Sequence, residues 1–255
     1  MRWSIEPAEL HSWDLAPREA IELQRHLQSR LVMRPVREPV RLVAGVDVHV
    51  PARCPARAGV ESASRSSGAR ATAAVVVLSY PAFEPVETAV ASLPVTFPYI
   101  PGLLSFRELP AVLNAFGSLA CRPDLVLCDG QGYAHPRRFG LACHLGLLTG
   151  VPTVGVAKTL LLGRHEPLGD SRGSWVPLLD GGEVVGAAVR TRTGVKPVYV
   201  SVGHLADLAS AVEWTLRCAP RYRLPETTRR AHKVAGDAGR VPYGGEEMAH
   251  ERRST

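Results

Sequence analysis

The sequence predicts an α/β fold whose mixed sheet starts as three antiparallel strands, continues in parallel β-α-β fashion, and is flanked by helices. Three observations carry this. Segments 41–50, 73–80 and 86–93 are strand-like and joined by loops with no helix between them, as antiparallel neighbours are. Segment 124–129, DLVLCD, is short and continuously apolar up to its closing carboxylate, which fits a strand covered on both faces. From there, helical and strand patterns alternate, the mark of parallel crossover units.

The elements follow in order. Pro17 stands before Ala20, Leu23, Leu27 and Leu31 at helical spacing, predicting an amphipathic helix over 16–33. Residues 51–71 are rich in Ala, Arg, Ser, Gly and Pro with little bulk to bury, and read as a flexible loop. PAFEP connects the second and third strands. SFRELPAVLNAFGSL is a helix that Pro110 is expected to enter in its first turn. A helix over 137–149, a strand over 153–157, a hairpin-like pair near 184–200 and helices over 205–217 and 225–235 complete one domain, residues 1–235. Residues 236–255 hold few core formers and are expected to be a disordered tail. No internal repeat is present.

Thirty Lys and Arg against 24 Asp and Glu give a formal charge of +6 and a pI near 9.3, a mild lean toward polyanions. The five cysteines are odd in number and lack metal-site spacing, which excludes a disulfide framework and a zinc ribbon and fits a reducing compartment. The N-terminus is too polar for a signal peptide, and no apolar run approaches membrane-spanning length. A cytoplasmic protein with no membrane partner is expected.

Three carboxylates stand out. Asp47 interrupts a strand between Val46 and Val48, Glu108 lies at the start of the following helix, and Asp129 ends the fourth strand. A buried carboxylate is costly unless it is paired or metal-bound. Each has a plainer reading: a salt-bridged Asp47, a Ser105–Glu108 capping box, an Asp129 that caps the turn at Gly130. One carboxylate on each of three successive elements favours a shared site for a hard divalent cation, as in phosphodiester hydrolysis.

Beyond these, GVDV (45–48), PYIPGLLSFRE (98–108), PDLVLCDGQGYAHPRRFGLACHLG (123–146), PTVGVAK (152–158) and YRLPETTRRAH (222–232) resemble the endonuclease V family. The blocks occur in family order across about residues 40–235. The resemblance implies a ribonuclease H-like fold. It also implies Mg2+-dependent hydrolysis, with Mn2+ as a substitute, of the second phosphodiester 3′ to a hypoxanthine nucleotide. The ends left are a 3′-hydroxyl and a 5′-phosphate, and the substrate is DNA containing deoxyinosine, in DNA repair by a monomer.

Carried over by position, Asp47, Glu108, Asp129 and His232 match the catalytic metal ligands, and Lys158 and His135 match further catalytic positions. Pro98, Tyr99, Ile100 and Pro101 match a strand-separating wedge. Leu104, Gly130, Gln131 and Gly132 match the wall of a base pocket, and Arg137 and Arg138 are expected on phosphates. A stiff Pro-Tyr-Ile-Pro tip suits a wedge, since both prolines fix φ, and glycines let backbone amides approach a base edge.

The chain departs from the family pattern at Leu109, where Gly is usual, at Val202, where Pro is common, and in the long 51–71 loop. His49 shares a strand face with Asp47 and is expected to be packed or solvated rather than a ligand. A ribonuclease acting on inosine in RNA is the near alternative, since the ribose hydroxyl is read by few contacts. A silent nucleic-acid-binding module would need a broken metal site, and a generic ribonuclease H-type nuclease has no need of PYIP or DGQG.

Overall fold

The structure is a computed structural model and describes residues 10–51 and 69–240. The expectations for residues 52–68 and 241–255 lie outside the described residues. Helix α1 (Pro17–Gln28) opens with Pro17 at its first position, and the Glu19 carboxylate accepts the Ala16 N–H at 2.6 Å. It stops at Gln28, short of the predicted 33; Ala20, Gln24 and Leu27 form its buried stripe, and Leu31 packs from the chain beyond it.

Strands β1 (Leu42–His49), β2 (Arg70–Ser79) and β3 (Pro85–Pro94) form the expected antiparallel meander. Helix α2 (Leu104–Gly117) leads to β4 (Leu125–Cys128), α3 (Leu141–Thr149) and β5 (Thr153–Ala157). Strands β4 and β5 continue from β1 in parallel. The chain then makes β6 (Trp175–Asp180), β7 (Glu183–Val189) and β8 (Val198–Val202), followed by α4 (Leu208–Cys218) and α5 (Glu226–Arg240). All eight strands form one sheet in the order β3-β2-β1-β4-β5-β8-β7-β6, and β8, β7 and β6 join antiparallel. The first five strands have the predicted ribonuclease H-like arrangement.

Alternation along the central strands builds a core on each face. Ala44, Val46, Val126 and Cys128 pack with Leu109, Val112 and Phe116 of α2 and Leu141 and Leu145 of α3. Val43, Leu125 and Leu127 face the other way, toward Val212 and Trp214 of α4 and Ala231 of α5. β4 is buried throughout, which explains its unbroken apolar run.

Several local expectations are corrected. Pro110 lies inside α2, not in its first turn. The helix has already started at Leu104, because buried Phe106, Leu109 and Leu113 outweigh the one backbone bond proline cannot donate. No Ser105–Glu108 capping box forms: Ser105 is inside the helix, and its hydroxyl meets His144 Nδ1 at 3.1 Å. The helix expected from 137 starts at Leu141, and β6, which the sequence reading missed, pairs beside the predicted β7–β8 pair. Helix α5 runs past its predicted end at 235 to Arg240, with Ala235 buried. Leu109 is fully buried in the α2 core and Val202 pairs within β8, so neither departure disturbs the local fold.

Candidate active site

The parallel register of β1 and β4 pairs Val46 with Cys128, so the next residues, Asp47 within β1 and Asp129 just past the end of β4, come side by side. The Asp129 N–H donates to the Val46 carbonyl at 3.1 Å, which holds the end in register. His232 arrives from α5, with Nδ1 2.7 Å from Asp47 Oδ2. That helix lies close on β1 because residue 45 is glycine: a Cβ there would fall 2.1 Å from the Thr227 carbonyl. His49 is packed rather than poised as a ligand, since its ring lies under α5 where a Cβ on Gly239 would come within 2.5 Å of it.

Ligand atoms of Asp47, Asp129 and His232 lie within 4.8 Å of one another. Asp129 also pairs with the Lys158 ammonium. Glu108, on α2, is not a member of that three-residue group but shares its field. Burial first, then the Asp47 charge and, less, that of Asp129, push its carboxyl up to about 8, while Arg107 acts the other way. Burial, then Asp129, also raises Asp47, although His232 and Lys158 act the other way.

Such a donor set fits a divalent metal. Two clustered carboxylates and an imidazole supply hard oxygen and borderline nitrogen ligands.

Asp129 also borders a pocket of about 420 Å3. One wall is the loop of Tyr99, Ile100 and Pro101 with Leu104 beyond it. A second stretch of the lining is Asp129, Gly130 and Gln131, joined by Lys158. Tyr99 is 71% exposed, whereas Ile100 is half-buried against the Phe97–Leu103–Phe106 cluster. Pro98 is exposed beside it and lies outside the pocket lining. The loop's first stem is held by Arg107, whose Nη1 donates to the Phe97 carbonyl at 2.8 Å.

The two glycines of the DGQG loop differ. A Cβ on Gly130 would meet nothing closer than 3.9 Å, so the fold itself does not demand glycine there. A Cβ on Gly132 would strike the Val202 carbonyl at 2.1 Å, and its N–H donates to Ser201 Oγ at 2.9 Å. Gly132 therefore seats the loop on β8 and is not a pocket-lining residue.

The HPRR cluster is bonded within the protein. His135 is buried; its Nε2 lies 2.9 Å from the Gly102 carbonyl, and its Nδ1 is 3.2 Å from the Arg137 N–H. Those contacts suit a neutral ring with the proton on Nε2. Burial, then the Arg137 charge, lowers its pKa to about 4. The Arg137 guanidinium bonds to Gln24 and Gly102, and Arg138 pairs with Asp180 and Glu183 of the β6–β7 hairpin at 2.8 Å each.

Sequence reasoning missed Gln24 and Arg223. Gln24 left a trace, a polar residue on the buried stripe of α1. Arg223 left none: its guanidinium collects the backbone carbonyls of Lys158, Lys196 and Pro197, which only the folded chain brings together.

The Endonuclease V family model matches residues 25–233. The endonuclease V of Trichormus variabilis is 52% identical over 227 residues, 89% of this chain and 97% of the relative. The crystal structure of endonuclease V from Streptomyces avermitilis is 46% identical, with a TM-score of 0.79 over 89% of this chain and 94% of that one. The Ciona intestinalis endonuclease V in complex with a 24mer DNA containing an inosine followed by a ribo-adenosine is 27% identical, with a TM-score of 0.70 over 87% of this chain and 96% of that one. A match of this extent, over a fold and a carboxylate cluster reached independently from the residues, makes the chain a member of the Endonuclease V family, and an endonuclease.

Proposed function

We propose that this endonuclease binds DNA containing deoxyinosine and hydrolyses the second phosphodiester 3′ to the hypoxanthine nucleotide, leaving a 3′-hydroxyl and a 5′-phosphate in DNA repair. The observation that carries the reading is the position of Asp129, which belongs to the metal-ligand cluster and also borders the pocket. Reaction and recognition thereby share one wall.

Asp47, Asp129 and His232 would hold the metal, with Glu108 close by; Mg2+ is the ion proposed, with Mn2+ as a substitute. When bound, the ion supplies charge neutralisation at the phosphate and an activated water. The residues themselves do the positioning. Lys158 presents its ammonium beside Asp129, where it can bond a phosphate oxygen. Tyr99 projects from a stiff tip and can fill the gap left by an extruded nucleotide. Gly130 offers backbone to a base edge where a side chain would intrude. Arg137 and Arg138 are already bonded within the protein, so their support for phosphate binding is indirect.

The protein is proposed to act as a monomer in the cytoplasm, with its catalytic unit in residues 1–235 and the helix end beyond as an extension. No helix among the described residues is long and apolar enough to cross a membrane. The test is cleavage of matched DNA and RNA oligonucleotides, each with one inosine, with and without Mg2+. Cleavage of the DNA one phosphodiester beyond the inosine's own 3′ linkage is expected; preferential cleavage of the RNA would instead establish an inosine-specific ribonuclease. No metal-dependent cleavage of either would overturn the reading.

A further inference from the structure

We propose that Gln24 is a positioning residue for base recognition, clamping the stem of the Tyr99 loop to the segment after β4 and so setting the width of the pocket between them. The inference rests on the reading of that pocket as the seat of an extruded base.

Gln24 is 1% exposed, and a buried amide is tolerated only when its groups are bonded. Its Nε2 donates to the Gly102 carbonyl at 3.0 Å and to the Phe139 carbonyl at 3.1 Å, and its Oε1 accepts from Arg137 Nε at 2.5 Å. Both amide hydrogens and the acceptor oxygen are thus engaged. The bonds reach both sides of the pocket: Gly102 closes the Tyr99 loop, while Arg137 and Phe139 belong to the segment that begins at Asp129. Gln24 itself lines the cavity.

Gly102 is the centre of this clamp. Its carbonyl also meets His135 Nε2 at 2.9 Å and accepts from Arg137 Nη2 at 2.6 Å, so three side chains converge on one oxygen. It has φ +80°, a left-handed conformation that glycine adopts without strain, and a Cβ there would fall 2.7 Å from Arg137 Nη2. Among these three side chains only Gln24 comes from α1, outside the motifs that form the pocket walls. The Tyr99 loop has only four residues between buried Phe97 and Gly102, so a shift at Gly102 is transmitted to the ring.

A wedge must resist restacking of the duplex, whereas an inosine in a single strand presents less stack to open. Loss of the clamp therefore penalises duplex recognition most. The test uses the full chain carrying Gln24→Met, which keeps length and volume while removing every hydrogen bond. Single-turnover cleavage is measured against enzyme concentration on duplex and single-stranded inosine oligonucleotides. The half-saturating concentration for duplex should rise roughly tenfold, the single-strand value should shift less than about threefold, and the metal titration should stay in place. Should Gln24→Met not fold, Gly102→Ala breaks the same clamp from the loop side and should give the same split. Equal losses on both substrates, or none, would overturn the role of Gln24. Wild-type protein without any preference for inosine would overturn the pocket reading itself, and is seen before any variant is made.

Discussion

The carboxylate cluster and the pocket wall meet at Asp129, yet their polar groups are treated in opposite ways. In the wall, Gln24, His135 and Arg137 bond to one another and to the Gly102 carbonyl, and His135 is held neutral. In the cluster, Asp47 and Glu108 are both pushed upward by burial and by neighbouring negative charge. His232 and Lys158 compensate only in part. The recognition side is complete within the protein, as a preformed pocket should be. The carboxylate side is incomplete within the protein, in that a bound divalent cation would offset the charge of its neighbouring carboxylates.

The largest expected effect follows from breaking the incomplete side. Asp129→Asn removes a ligand charge while preserving shape, and should slow single-turnover cleavage of inosine duplex roughly a thousandfold or more in saturating Mg2+. Binding should survive within a few-fold, because the wall is untouched. Near-normal turnover would show that the crowded carboxylates are structural. A smaller effect is expected at His232, which is 63% exposed on its side chain and held mainly through Asp47. His232→Ala should move the metal midpoint upward roughly ten- to a hundredfold, with activity recovering at high metal. An unmoved midpoint would remove His232 from the cluster.

On the other side of the comparison, Tyr99→Ala leaves every bond of the clamp in place and takes only the projecting ring. Base–aromatic stacking is worth about 1–3 kcal/mol, so duplex binding should weaken roughly tenfold. Single-strand binding should weaken less. Equal loss on the two would make Tyr99 a stacking platform and not a wedge.

The incomplete side was the more legible in the sequence. Asp47 interrupts one apolar strand and Asp129 closes another, and a parallel register is all that is needed to bring them together. The complete side was not, because its bonds join Gln24 to residues more than 75 positions away, as its partner Gly102 at a separation of 78 illustrates. The internal partners of Arg137 and Arg138 were hidden for the same reason: nothing local to HPRR reveals the Gly102 carbonyl or the Asp180–Glu183 hairpin. Pro110 misled through a local rule that the buried face of α2 overrides. The DGQG glycines looked alike in sequence and separated only once β8 was seen against Gly132.

A last effect, on stability and not on cleavage, tests whether the wall is as complete as its bonds suggest, through its titration. His135 has its pKa lowered from the ordinary 6.5 to about 4, by burial first and then by the Arg137 and Arg138 charges, against the Gly102 hydrogen bond. As pH falls through 6.5, the unfolded chain takes up a proton at this ring that the folded chain refuses. The stability associated with a neutral His135 is therefore full above that pH and declines as pH drops toward about 4. Between about pH 7.5 and pH 5 this amounts to about 2 kcal/mol. His135→Gln keeps an N–H to offer Gly102 but cannot titrate. Buried His144 and half-exposed or buried groups elsewhere contribute equally to both proteins and cancel in the difference. Urea unfolding at the two pH values should show wild type losing about 2 kcal/mol more than His135→Gln. Equal losses would mean that His135 is not held neutral, and the contrast between the wall and the cluster would fail at the wall's imidazole.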